Sequence, residues 1–236
     1  MNFKKILQEA ADSADILLSD LQLEQFEVYY NLLIEWNEKI NITAITEPKD
    51  VAMKHFVDCI CLFKYAQISN GASVIDVGTG GGFPGMVMKI YRPDLKVTLL
   101  DSLNKRLIFL KEVNDKLGFD VVLTHKRAED GGHDILLRHK FDVAVSRAVA
   151  QLNILSEYCL PFVKTGGYFY ALKGKQGEDE VKSSSTAFSK LEAKLVGADS
   201  FVLPSGENRV IVKVAKTAKT NDIYPRAFAK IKAKPL

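Results

Sequence analysis

From Met1 to about Asn70, apolar side chains recur at three- and four-residue steps. Phe3, Ile6, Leu7, Ala10, Ala14, Leu17 and Leu18 form one such series, and Leu23, Phe26, Tyr30, Leu33, Ile34 and Trp36 a second. This spacing predicts two amphipathic helices with one buried face each, the second opened by the cap candidates Ser19 and Asp20. A third helix is expected after Pro48, with Val51, His55, Cys59 and Leu62 on one side. The connector "NEKINITAITEP" is rich in β-branched and polar residues and reads as an ordered loop, in which Asn41 and Thr43 act as caps. Trp36 and Tyr30 sit on an apolar stripe and are read as core residues rather than as stacking platforms.

Beyond Asn70 the period shortens. The runs "SVIDV", "KVTLLD", "DVVLTH", "FDVAVS" and "GGYFYALK" alternate with helical segments at Pro84 to Arg92, Leu103 to Leu117 and Asn153 to Phe162. Such alternation predicts a doubly wound α/β domain, a mostly parallel sheet covered on both faces. A helix from Glu178 to Leu195 and two closing strands, "DSFVLP" and "RVIVKVA", complete the expected elements. The organisation is therefore an N-terminal helical extension packed on the core (1–70), a Rossmann-like domain (71–215) and a C-terminal tail (216–236).

Composition narrows this picture. With 47% hydrophobic and 26% charged residues in 236, the chain can bury the core of one main unit, and a disordered or fibrous protein is excluded. The N-terminal pattern is interrupted by polar residues and resembles neither a signal peptide nor a membrane span, so a cytoplasmic location without membrane attachment is expected. Cys59, Cys61 and Cys159 match no zinc or redox spacing, and neither do His55, His125, His133 and His139, so no metal is expected. Net charge is +3, yet from Arg209 onward eight basic side chains face the single acid Asp222, which leaves everything earlier at −4. A basic end of this kind suits a polyanion such as RNA, with Arg209, Arg226, Lys230 and Lys232 as candidate phosphate contacts.

The chemistry concentrates in "VIDVGTGGGFPG", Val74 to Gly85. Its three glycines Gly80, Gly82 and Gly85 complete a G-x-G-x-x-G, the pattern of a dinucleotide site. A second register, acid-x-Gly-x-Gly-x-Gly, is filled by Asp76, Gly78, Gly80 and Gly82. Charge separates the two. A carboxylate about 5 Å from a pyrophosphate oxygen costs roughly 3 kcal/mol per charge pair at an effective dielectric of about 20. S-adenosylmethionine instead carries an ammonium and a sulfonium, which the same carboxylate attracts, while its own carboxylate can approach backbone N–H groups of the turn and the helix start. Asp101 ends the next strand, where an acid can accept hydrogen bonds from both ribose hydroxyls. Arg147 and Lys173, at the carboxyl ends of the fourth and fifth strands, are read as positioning groups for RNA phosphate or a base edge. His55 is read as a helix-face residue turned towards the cofactor end or as a satisfied polar contact.

These residues resemble the small-subunit ribosomal RNA methyltransferase G family, also called glucose-inhibited division protein B. The likeness rests on "WNEKINITAI", His55 with Asp58, "DVGTGGGFPG", "LLDSLNKRLIFL", "RAE" (Arg127 to Glu129), "FDVAVSRAVA", "LKG" (Leu172 to Gly174) and the final "YPR" region, in order along nearly the whole chain. The resemblance implies a class I S-adenosylmethionine-dependent methyltransferase fold that methylates N7 of a guanine in 16S ribosomal RNA. It implies that Gly78 and Phe83 line the methionine and nucleoside side, that Ala128 and Glu129 meet the adenosine, and that Arg147 sits where cofactor and target meet. Together with Asp76, Gly80 and Asp101 these form the expected cofactor site. The last segment departs from the family, with Phe228 and Ala229 where a Pro-Gly pair is usual. A methyltransferase acting on a small molecule or a protein, and a non-catalytic RNA-binding module, remain alternatives; the expected substrate is 16S RNA or the 30S subunit, met by a monomer.

Overall fold

The computed structural model describes residues 2–236. A seven-stranded sheet runs β1 (Ser73–Val77), β2 (Lys96–Asp101), β3 (Val122–His125), β4 (Phe141–Arg147), β5 (Val163–Lys173), β6 (Ala193–Val202) and β7 (Asn208–Lys216), in the spatial order β3-β2-β1-β4-β5-β7-β6. The first five strands are parallel, and β7 enters antiparallel between β5 and β6. Strand order reverses between β1 and β4, which opens a crevice at their carboxyl ends. Successive residues of a strand face opposite sides, so Val74 joins one apolar core and Ile75 and Val77 the other.

The first core holds the N-terminal extension. α1 (Phe3–Ser13) and α2 (Asp20–Ile40) pack with a helical run from Pro48 to Tyr65 against α6 (Gly85–Tyr91) and α7 (Asn104–Leu117). That run comprises α3 (Pro48–Val51), a π-helical stretch at Ala52–Val57, α4 (Asp58–Ile60) and α5 (Leu62–Tyr65). Ser19 caps α2 with the reciprocal Gln22 bond of a capping box, as its sequence signature predicts. Two expectations shift. α1 stops at Ser13, because Asp15 takes a left-handed φ of 52° and the Ile16 N–H closes on the Ala11 carbonyl, so Leu17 is left exposed instead of on the stripe. On α2 Tyr29, which the sequence reading passed over, is as fully buried as Phe26, whereas Tyr30 is half-buried and stacks on Phe3.

The second core holds α9 (Leu152–Cys159), its 3-10 extension Leu160–Phe162, α10 (Gly177–Ser183) and α11 (Ser185–Lys190), together with Tyr224 and Ile231 from beyond the sheet. The helix expected to reach Leu195 ends at Lys190. Glu192 adopts a φ of 56° and reverses the chain, so Leu195 belongs to β6 and pairs with Val214. The short α8 (Ala128–Gly131) follows β3, and α12 (Phe228–Ala233) lies in the final segment. No helix among the described residues is long and apolar enough to cross a membrane.

Candidate functional site

The glycine turn leaves β1 at the crevice. Gly78 and Thr79 donate their N–H groups to the Leu100 carbonyl at 2.9 and 3.1 Å, and Gly80 donates to Asp101 Oδ2 at 2.9 Å. These bonds tie the turn to the end of β2. Gly82 has a φ of 95°, and a side chain there would collide with the Tyr29 hydroxyl, which donates to the Gly81 carbonyl. At Gly78 a Cβ would lie 2.7 Å from Val149 Cγ2, so the loop after β4 closes directly over the turn.

Two cavities open at this end of the sheet. The first, of about 470 Å³, lies along the turn and is lined by Gly78, Gly80, Phe83, Asp101, Ala128, Glu129 and Arg147, among others. The second, of about 580 Å³, lies beyond β4 and β5 and is lined by Asp58, Gln151, Lys173, Glu180 and Arg209, among others. His55, Arg147, Ala148 and Val149 belong to both and form the shared wall. Ala148 holds a left-handed φ of 58° there, a strained conformation for a residue with a Cβ.

Arg147 organises that wall. It donates to the Lys54 carbonyl at 2.9 Å, to Asp58 Oδ2 at 3.1 Å and to His55 Nδ1 at 3.0 Å, and its guanidinium lies 5.1 Å from the Phe83 ring centroid. Arg209 donates to the other oxygen of Asp58 at 2.9 Å. A guanidinium can only donate, so His55 Nδ1 accepts, and its Nε2–H donates to Thr43 Oγ1 at 2.9 Å. Burial, reinforced by the Arg147 charge, drives the His55 pKa down to about 3. The imidazole is therefore neutral at physiological pH, stacked on Phe83 with 4.4 Å between ring centroids.

A family model for rRNA small subunit methyltransferase G matches residues 22–210. The chain belongs to this family. It is 47% identical to the ribosomal RNA small subunit methyltransferase G of Desulforamulus reducens over 98% of this chain and 97% of the relative. To that of Clostridium botulinum strain Alaska E43 it is 45% identical over the full length of both. Solved structures of the same fold include M. jannaschii TYW2 in complex with AdoMet, at TM-score 0.53 and 17% identity over 67% of this chain and 76% of the other. TrmN from Thermus thermophilus aligns at TM-score 0.52 and 18% identity over 67% of this chain and 48% of the other.

Within this methyltransferase G fold, the residues expected around a cofactor converge, with one displaced. Asp76 does not line the first cavity. It is fully buried beneath the turn, where Oδ2 accepts from Thr79 Oγ1 at 2.7 Å and from the Gly85 N–H at 2.8 Å, while Oδ1 has no partner. Burial pushes its pKa up to about 6. Its charge thus acts on the cavity through the turn and not by contact. The expectation that the turn's N–H groups are open to a ligand is likewise restricted, because those of Gly78, Thr79, Gly80 and Gly85 all bond within the protein. The same occupancy removes the N–H cradle that a pyrophosphate would need. Asp101 keeps acceptor capacity: Gly80 and Leu103 N–H use one position on each oxygen, and Arg106 approaches Oδ2 only loosely at 3.4 Å.

The basic candidates divide. Lys173 is buried in the second cavity, donating to the Ala150 carbonyl and pairing with Glu180, both at 2.6 Å. Arg209 lines the same cavity. Arg226 is instead held by the fully buried Glu157, through Nε at 2.9 Å, Nη2 at 2.7 Å and its own backbone N–H at 2.8 Å. Lys230 and Lys232 are exposed on α12. Sequence reasoning missed Arg106, Lys126, Arg127, Val149, Tyr158 and Phe228 as cavity residues. Arg106, Arg127 and Val149 lie within segments that carry the family resemblance and Phe228 at the departure from it, whereas Lys126 and Tyr158 carried no signal. The described residues contain no group of three or more His, Cys, Asp or Glu side chains able to hold a metal ion, and all three cysteines are buried and free.

Proposed function

We propose that this chain transfers a methyl group from S-adenosylmethionine, held in the first cavity, to N7 of a guanine in small-subunit (16S) ribosomal RNA presented through the second. The observation that carries this reading is the pair of cavities meeting at Arg147, Ala148 and Val149, one with nucleoside chemistry and the other lined by Lys54, Arg147, Lys173 and Arg209 against only two acids, Asp58 and Glu180. The first cavity fits the donor. Asp101 offers a carboxylate at the position for a ribose, and the buried charge of Asp76 favours a cationic neighbour. Gly81, whose N–H donates to no group among the described residues, and Arg147 are the candidates to receive the donor's carboxylate.

When bound, S-adenosylmethionine supplies an electrophilic methyl on a sulfonium. Guanine N7 has an exposed lone pair and no proton, so the chain need supply no general base, and catalysis is positioning. Arg147 is fixed on three sides and holds the boundary between donor and acceptor. Lys173 uses two of its N–H donors internally and keeps the third for a base edge or a phosphate. His55 stays neutral, so the shared wall gains no positive charge beside a cationic donor and a product that becomes cationic. Lys173, Arg209, Lys230 and Lys232 form the RNA-facing set, Arg226 being given over to Glu157, and the chain works in the cytoplasm as a monomer on free RNA or the 30S subunit.

The test is transfer of radiolabelled methyl from S-adenosylmethionine to ribosomal RNA and to 30S subunits from cells lacking this protein, followed by nucleoside digestion. Label in 7-methylguanosine is the expected result. Label in another nucleoside would overturn the atom assignment, and donor binding without RNA labelling would point to a small-molecule or protein acceptor.

A further inference from the structure

We infer that the segment after β7 is a strap that completes the donor cavity, with Phe228 forming an aromatic wall for the adenine of the nucleoside. The inference rests on the proposed donor site and adds a residue from the opposite end of the chain. β7 runs antiparallel to β5 and ends at Lys216, at the end of the strands opposite the crevice, so the chain must climb back along the second core to reach the cavity. Its path is fixed by polar anchors. Arg138 donates to the carbonyls of Thr220 at 2.7 Å and Tyr224 at 2.8 Å, and His133 Nε2 lies 2.7 Å from the Pro225 carbonyl. Pro225 sits so close to Gly132 that a Cβ there would lie 2.6 Å from the proline ring. Arg226 is locked on buried Glu157, and Ile231 is fully buried.

Between the last two anchors, Phe228 is held at the rim. It lines the first cavity together with Arg127, Ala128, Glu129 and Tyr158, although 46% of its surface is exposed. The Arg127 guanidinium lies 5.8 Å from its ring centroid. What sets Phe228 apart from the other exposed apolar side chains is its place on the cavity wall, where its ring also carries the Arg127 cation. Position selects the ligand. Asp101 marks the ribose, the glycine turn marks the charged end of the donor, and Phe228 lies on the side of Ala128 and Tyr158, where the remaining part of a nucleoside, the purine, must extend. An aromatic face stacks on any purine without reading its edge.

Equilibrium binding of S-adenosylhomocysteine and of adenosine to the full-length chain, by calorimetry, tests this. Phe228→Ala should weaken both probes by about tenfold, as expected for losing one stacking face. Phe228→Trp should restore them, and Phe228→Leu, which keeps bulk without a π face, should fall between. In methylation assays Phe228→Ala should raise the KM for S-adenosylmethionine and leave kcat and the KM for RNA unchanged. Unaltered affinity for both probes would overturn the assignment. A raised KM for RNA with an unchanged donor KM would overturn it too, making Phe228 a base platform. Wild-type chain that binds neither probe would remove the donor site itself, and this inference with it.

Discussion

The two ends of the chain both reach the site, from opposite faces of the sheet and by opposite means. The N-terminal extension is held by apolar surface: Phe3, Phe26, Tyr29 and Phe56 pack as a cluster of rings that continues into Phe83 at the cavity. The C-terminal strap buries Tyr224 and Ile231 but is positioned by Arg138, His133 and the Arg226–Glu157 pair. Apolar burial is cooperative and shared among many neighbours, so the extension belongs to the folding unit. A few directional polar contacts set a position without joining it so deeply to the core. The first cavity thus has one wall fused to the fold and another fastened onto it.

The largest effect should come from the fused wall. Tyr29→Ala removes a fully buried ring that touches Phe56, Phe83 and Phe109 and the hydroxyl that holds the Gly81 carbonyl. We expect a loss of about 3–5 kcal/mol in global stability by denaturant unfolding. A loss below about 1 kcal/mol would show that the extension is not part of the cooperative core. Arg226→Ala should cost less, about 2–3 kcal/mol, because Glu157 regains water when the strap lifts. Hydrogen exchange should show residues 217–233 opening locally while β1 to β5 stay protected. Simultaneous loss of protection in the sheet would erase the distinction between the two walls.

A pH profile sharpens the comparison at the centre of the site. The Asp76 pKa is raised from 3.8 to about 6, so between these values the folded chain binds its proton more tightly than the unfolded one. Its contribution to stability therefore falls as pH rises through that window, by about 3 kcal/mol in all. His55 acts in the other sense. Its pKa is lowered from 6.5 to about 3, so stability is lost as pH falls below 6.5. The wild-type profile between pH 4 and 6 should be nearly flat from this opposition. Asp76→Asn should make stability climb with pH there, and His55→Asn should make it decline. Parallel profiles for all three proteins would sink this account.

The smallest effect is expected on the strap's exposed surface. Lys230→Ala and Lys232→Ala should leave the thermal midpoint and donor affinity unchanged and each lower the salt dependence of RNA binding by about one phosphate contact. An unaltered salt slope would remove these lysines from the RNA-facing set.

What could be read in the sequence follows the same division. Alternating strands and helices, the Ser19 cap and the glycine turn are local patterns, and they appear in the structure close to where the spacing places them. Tyr29 was passed over because three- and four-residue steps from Phe26 reach both Tyr29 and Tyr30, and the choice is made by where α2 meets α7 and the turn. The end of α11 was misplaced because Leu191 to Leu195 has no proline or glycine to stop a helix before Gly197, and pairing with β7 decides it. The cavity position of Phe228 was invisible, since it depends on Arg138, Glu157 and Gly132 lying 71 to 96 residues away. Asp76 was recognised, but sequence does not say on which side of its own turn a side chain falls.

One consequence of the strap concerns the order in which the protein is made. Synthesis delivers the helical extension, the glycine turn and all seven strands before residue 228 exists, and folding generally follows that direction. A nascent chain therefore acquires the second cavity and most of the first before Phe228 closes the rim. The polar fastening suits a part that arrives late. Contacts from Arg138, His133 and Glu157 are already in position on the folded sheet when the strap is laid across them.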